Sequence, residues 1–213
     1  MTAAIHPFRD GNGRVSRVLS SLAMYRGGFR LPEFTSLEEW WGRHLADYYG
    51  SFGCLGGEFD PSSDVTSFIR SHLLAQLHHV RALDLRERSQ RRIWEAVEGV
   101  VEDAALKPRV ANALWDAFFG RTVTSRCYRP LADVSVPTAA NDLAASVSAG
   151  LLAAVGAGRS RAYVAGPRLY ARLGAALGVA VPDDPKMARF AISSRLTEAV
   201  LKEQISPGAG SSG

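Results

Sequence analysis

Apolar residues recur at helical spacing along nearly the whole chain, and only one stretch breaks that rhythm. Val15, Val18, Leu19, Leu22 and Ala23 form one stripe, and Phe68, Ile69, Leu73, Leu74 and Leu77 form another. A period of 3.6 residues is the mark of an amphipathic helix. The exception lies at 151–155 and 160–164, two short apolar runs around Gly156-Ala157-Gly158-Arg159, which read as a β-hairpin. The expected fold is therefore mostly α with one small hairpin. No run of about 18–20 residues is uniformly apolar, so a transmembrane helix is not expected. The start, Met1-Thr2-Ala3-Ala4-Ile5-His6-Pro7, has no basic region before an apolar one, so no secretory signal is read there. Cys54 and Cys127 lack metal-type spacing, which predicts reduced thiols, no zinc and a cytoplasmic setting. Only Lys107, Lys186 and Lys202 are lysine among 25 basic residues, and alanine is abundant, a composition that suggests a GC-rich bacterial genome.

Helices are predicted at 13–26, ended by Gly27-Gly28, and then from Ser36, where Glu39 completes a capping box. This second helix carries Trp40, Trp41, Tyr48 and Tyr49, read as core. A third opens at 60–64 and a fourth spans 85–106. Pro108 marks a boundary in both pattern and charge. Residues 1–107 carry 13 basic and 14 acidic side chains, while residues 108–213 carry 12 and 7. The whole basic excess of +4 therefore originates in the second half. The expected segments are 1–106, 108–166, C-terminal helices at 167–205 and a disordered Ser/Gly tail at 206–213. His72 and His79 share a helix face, but no carboxylate stands at ligand spacing, so no metal site is read there.

The string His6-Pro7-Phe8-Arg9-Asp10-Gly11-Asn12-Gly13-Arg14 carries the chemistry. It is a polar, glycine-containing turn feeding a helix. The N–H groups of Gly11, Asn12 and Gly13 would point beyond the helix N-terminus, and with the helix dipole they make an anion site suited to phosphate. Asp10 is a hard oxygen ligand beside it, fit for Mg²⁺ bridging phosphates. Arg14 and Arg17, three apart, share a face and can clamp terminal phosphates. His6, near the positive helix end, is placed to act as a neutral general base. Phe8 is expected to anchor the loop in the core.

This string resembles the signature of the Fic family, HPFx[D/E]GNGR, at every fixed position, with Arg17 as the second arginine that often follows. Leu31-Pro32, Tyr48-Tyr49 and Phe59-Asp60-Pro61 before Asp64 are also similar, so the likeness covers roughly residues 1–105. The resemblance implies transfer of AMP from ATP to a Ser, Thr or Tyr hydroxyl of a target protein. It assigns His6 as base, Asp10 as the Mg²⁺ ligand, and Asn12 with the Gly11–Gly13 N–H groups as holders of the α- and β-phosphates. Arg14 and Arg17 fall at the β/γ end, and Gly13 in place of Lys matches the AMP-transferring pattern. Helices and a flap precede the motif in the family. Met1 stands five residues before His6, so the chain is read as an N-terminally truncated, partial Fic bundle whose first helix exposes its apolar stripe. The family's inhibitory string, [S/T]xxxE[G/N], has no match, the nearest being Ser194 to Glu198 followed by Ala199.

In the second half, Thr124 caps a helix through Leu131, Thr138 caps another over 139–148, and the hairpin follows. Helix, turn, helix and basic hairpin is winged-helix logic, and 138–163 looks like the winged-helix tail of many Fic proteins. Arg126, Arg129, Arg159 and Arg161 could contact DNA phosphates. The 139–148 helix holds Asn141 and Asp142 but no cation, so protein contact or homodimer formation stands beside DNA binding as a reading.

Overall fold

The computed structural model describes residues 5–30, 37–55, 60 and 62–205, with the backbone alone at 39, 55, 159, 204 and 205. It is mostly helical, with one two-stranded antiparallel sheet among the described residues. Two compact units divide between Asp84 and Leu85.

The first unit opens with α1, Asn12–Arg26, closed where the Gly27 N–H returns to the Ala23 carbonyl at 2.9 Å. The aromatic segment forms two short helices, α2 (Glu38–Arg43) and α3 (Leu45–Gly50), where the sequence predicted one. The break is His44, at φ −129° and ψ 48°, whose Nδ1 lies 2.8 Å from the Trp40 carbonyl oxygen. The predicted capping box falls outside the described residues at Ser36 and at the Glu39 side chain, as do Leu31-Pro32, Phe59 and Pro61. Trp41 and Tyr48 are buried with Ala75 in a small core, flanked by Leu37, Trp40 and Phe52, whereas Tyr49 stays exposed.

Helix α4, Thr66–Asp103, replaces the predicted third and fourth helices. Nothing between 77 and 90 breaks a helix, since neither Gly nor Pro occurs there. The Asp64 carboxylate accepts the Thr66 N–H at 2.9 Å and starts it. It ends before Ala105, which takes a left-handed φ of 53°.

The second unit contains the later part of α4, then α5 (Ala111–Phe118), α6 (Ser125–Ala132), α7 (Val136–Ser148), β1 (Leu152–Val155), β2 (Ala162–Ala165), α8 (Leu169–Leu177) and α9 (Pro185–Ile205). Leu152 pairs with Ala165 and Val155 with Ala162, so the predicted hairpin is present. Val123 adds an antiparallel bridge to Tyr163, exchanging two 2.8 Å backbone bonds. Thr124 caps α6 as expected, accepting the Cys127 N–H at 3.2 Å. The cap of α7 is Ser135, three residues before the predicted Thr138. Pro137 lies in that first turn, where its missing N–H costs nothing, so the helix begins earlier than the proline suggested. Phe118, Leu114, Leu143, Leu169 and Ile192 lie at the centre of a large core. The tail, 206–213, lies outside the described residues.

Candidate functional site

Gly11 shapes the loop before α1. Its φ of 84° lies in the left-handed region that glycine enters without cost. The first helical bond runs from the Val15 N–H to the Gly11 carbonyl at 3.0 Å. The N–H groups of Asn12, Gly13 and Arg14 therefore precede any helical carbonyl that could accept them, the condition for anion binding. His6 is exposed and takes φ 48°, a conformation that costs a non-glycine residue about 1–2 kcal/mol.

Asp10 and Arg14 form one exposed pair. Asp10 Oδ1 accepts the Gly11 N–H at 2.6 Å, and Arg14 Nη2 donates to Oδ2 at 3.2 Å. Asn12 has a role that the motif does not show. It is buried, and its side chain braces the loop: Oδ1 accepts the Phe8 N–H at 3.0 Å while Nδ2 donates to the Phe8 carbonyl at 2.6 Å. The amide is used on the backbone, which leaves the Asn12 N–H as its contribution to an anion. Phe8 departs from expectation. The residue is 52% exposed, so the loop is anchored by Asn12 and not by Phe8.

Arg17 lies beside Gly13, its Nη1 3.5 Å from where a Cβ on that glycine would stand, but it is paired with α2. Its Nε donates to Glu38 Oε1 at 3.1 Å. The Glu38 bond, aided by Tyr48 and opposed by burial, holds the Arg17 guanidinium above its ordinary range. Glu38 was not legible from the motif, because it stands 21 residues away on α2. Glu198, the nearest glutamate to the inhibitory pattern, pairs with Arg195 of its own helix at 3.5 Å.

Below Arg17 a cavity of about 420 Å³ opens between α1, α2, α3 and the start of α4. Its walls include Leu19, Met24, Trp41, Tyr48, Phe68 and His72. The Ser16 hydroxyl oxygen is buried there without a hydrogen-bond partner among the described residues. Burial holds the His72 imidazole below its usual range, opposed by its bond to the Phe68 carbonyl at 3.0 Å.

A divalent cation has one candidate ligand in this loop. Mg²⁺ is commonly held by one or two carboxylates, water and substrate phosphates, and not by an all-protein cage. The Asp10 carboxylate is 91% exposed, and each oxygen keeps a second lone pair beyond the bond it already accepts, so the donor set fits. No group of three or more His, Cys, Asp or Glu suited to a metal occurs among the described residues.

In the second unit Arg126, Arg129 and Arg161 are exposed, and the Arg159 side chain lies outside the described residues. Asp142 leaves the exposed face of α7. It accepts Arg109 Nε at 2.7 Å and Nη2 at 3.0 Å, and the Tyr128 hydroxyl at 3.0 Å. Burial would raise the Asp142 carboxyl, but these bonds and the Arg109 charge prevail and hold it below its ordinary range. Burial pushes the Tyr128 phenol up, and its bond to Asp142 adds to the rise.

A sequence model of the Fic/DOC family matches residues 1–24. The matched stretch takes in the whole loop from His6 and most of α1. The N-terminal segment is thus similar to Fic/DOC proteins over the residues that form the nest. No curated protein and no solved structure matches the chain. No helix among the described residues is long and apolar enough to cross a membrane.

Proposed function

We propose that the loop at 6–11 and the first turns of α1 bind the phosphates of ATP, and that the segment serves adenylyl transfer to a protein hydroxyl. The observation that carries this reading is the nest itself: Gly11 at φ 84° followed by three first-turn N–H groups, inside the stretch similar to Fic/DOC proteins. In the reaction a target hydroxyl oxygen attacks the α-phosphorus. The new O–P bond forms as the α–β bridging P–O bond breaks, and pyrophosphate leaves. His6 takes the hydroxyl proton. The N–H groups of Asn12 to Arg14 hold developing charge on the phosphate oxygens, the kind of fixed donor that supplies most of such catalysis. Asp10 would hold Mg²⁺ against the phosphates, and the ion would supply charge neutralisation there.

Arg14 and Arg17 reach phosphate by exchanging partners. Exposed ion pairs contribute about 0–1 kcal/mol, while charge-assisted bonds to phosphate are worth about 1.5–3 kcal/mol, so Asp10 and Glu38 are weak competitors. The test is labelling of lysate proteins with ATP carrying ³²P at the α or the γ position. Label from the α position alone, lost in His6→Ala, is expected. Label from the γ position, or equal label by His6→Ala, contradicts the assignment.

A second reading concerns the second unit, where α5, the Val123 bridge, α6, α7 and the hairpin follow one another in winged-helix order. We infer nucleic-acid binding there through phosphates, using Arg126, Arg129 and Arg161. The exposed residues of α7 include Ala140, Asn141, Ala144 and Ala145, none of them cationic, so base readout by this helix is weak. Arg126→Ala and Arg129→Ala in the full chain should each lower the salt slope of DNA binding by about 1. Absence of binding at low salt leaves protein contact as the role of this unit.

A further inference from the structure

The phosphate chemistry of the loop leaves the aromatic cavity of the first unit unused. Its volume is about 420 Å³. Its inner wall is the small core itself: Trp41 and Tyr48, 5% and 8% exposed, with Phe52 packed beside them. Phe68 and Met24 extend that lining. Small-molecule sites occupy about 300–1,000 Å³, and a void of about 150 Å³ already admits benzene. The space therefore suits a body of about two fused rings. Aromatic walls and a thioether favour a flat aromatic occupant.

Charge turns ions away from it. The charged lining residues are Arg17 and Glu38, and they pair with each other at 3.1 Å. Burial holds the His72 imidazole below its usual range, so the ring is neutral at physiological pH. That ring lies 4.1 Å from the Phe68 ring and 5.3 Å from the Trp41 ring, as part of the aromatic wall. Three serines of α1 supply hydroxyl groups. Ser20 spends its hydroxyl on the Ser16 carbonyl at 3.0 Å. The Ser16 hydroxyl is buried with no hydrogen-bond partner among the described residues, an arrangement that folded proteins rarely leave unanswered. A ligand hydroxyl answers it, since such a group both donates and accepts.

We propose that this cavity binds an uncharged aromatic molecule bearing a hydroxyl group, seated against Trp41, Tyr48 and Phe68 with its hydroxyl bonded to Ser16 Oγ. The aromatic wall selects the ring, the closed Arg17–Glu38 pair excludes charge, and Ser16 selects the hydroxyl. The proposal does not rest on nucleotide chemistry at the loop.

Calorimetric titration of the full chain with 2-naphthol, uncharged at neutral pH, tests it, with naphthalene as the probe that lacks the hydroxyl. 2-Naphthol should bind saturably at one site per chain and move the indole N–H resonance of Trp41. Ser16→Ala, a change that favours helix, should weaken 2-naphthol binding by roughly two- to tenfold, the range of one net hydrogen bond, and leave naphthalene unchanged. Ser20→Ala should change neither affinity, because that hydroxyl is already used. No saturable binding, binding that leaves Trp41 unmoved, or equal 2-naphthol affinity in the wild type and Ser16→Ala overturns the proposal. So does displacement of 2-naphthol by adenosine, which would make the cavity the base site of the nucleotide.

Discussion

Gly13 separates fold from chemistry at the scale of one residue. An added Cβ there meets only Arg17 Nη1 at 3.5 Å, an ordinary contact, and alanine favours helix over glycine by about 1 kcal/mol. Gly13→Ala should therefore keep or raise the melting temperature while AMP transfer falls by tenfold or more, because the methyl group meets the approaching phosphate. Unchanged transfer would place the phosphate elsewhere. Glu38→Gln tests the pair with Arg17: it should lower the KM for ATP by a few fold, since a weak competitor is removed, and a higher KM would show that Glu38 positions Arg17 productively. The string from His6 to Arg14 made the nest legible, since glycine spacing and a helix start are local properties. Phe8 departs from expectation, and Asn12 has a further role as a brace of the loop, for one physical reason. A motif names residue types, but only the folded loop shows that the Asn12 amide is used on the Phe8 backbone, with Phe8 left exposed.

Among the elements, the join of α6 and α7 depends on a buried carboxylate. Asp142 ties Arg109, Tyr128 and its own helix into one cluster. Asp142→Asn keeps the volume but removes the charge, and should cost about 1–3 kcal/mol, read as a lower urea midpoint. The pH dependence has a definite sign. The folded Asp142 carboxyl lies below its ordinary 3.8, so its contribution is fully present above that value and is lost as pH falls through the lower folded one. The second unit should lose stability on acidification below about pH 4, and Asp142→Asn should lose less over the same interval. A steeper acid loss in the variant would contradict the assignment. Hairpin and helix existence were readable from periodicity. Their joins were less so: one helix covers 66–103 because neither Gly nor Pro lies between 77 and 90, and the aromatic segment splits at His44, two residues after Gly42, a weak helix former that the apolar periodicity does not register.

For the molecule as a whole, the division of labour follows the division of charge. The first unit is close to neutral and contains the nest, the exposed apolar stripe of α1 and a small aromatic core. The second holds the large core, the hairpin and the basic excess. Nucleotide chemistry in the first unit is tested most directly by the amide resonances of the full chain titrated with ATP and Mg²⁺. The N–H signals of Asn12, Gly13 and Arg14 should move in a saturable way, and those of α5 to α9 should stay in place. Shifts confined to the second unit, or an N-terminal loop unmoved at saturating ATP, would contradict the central claim.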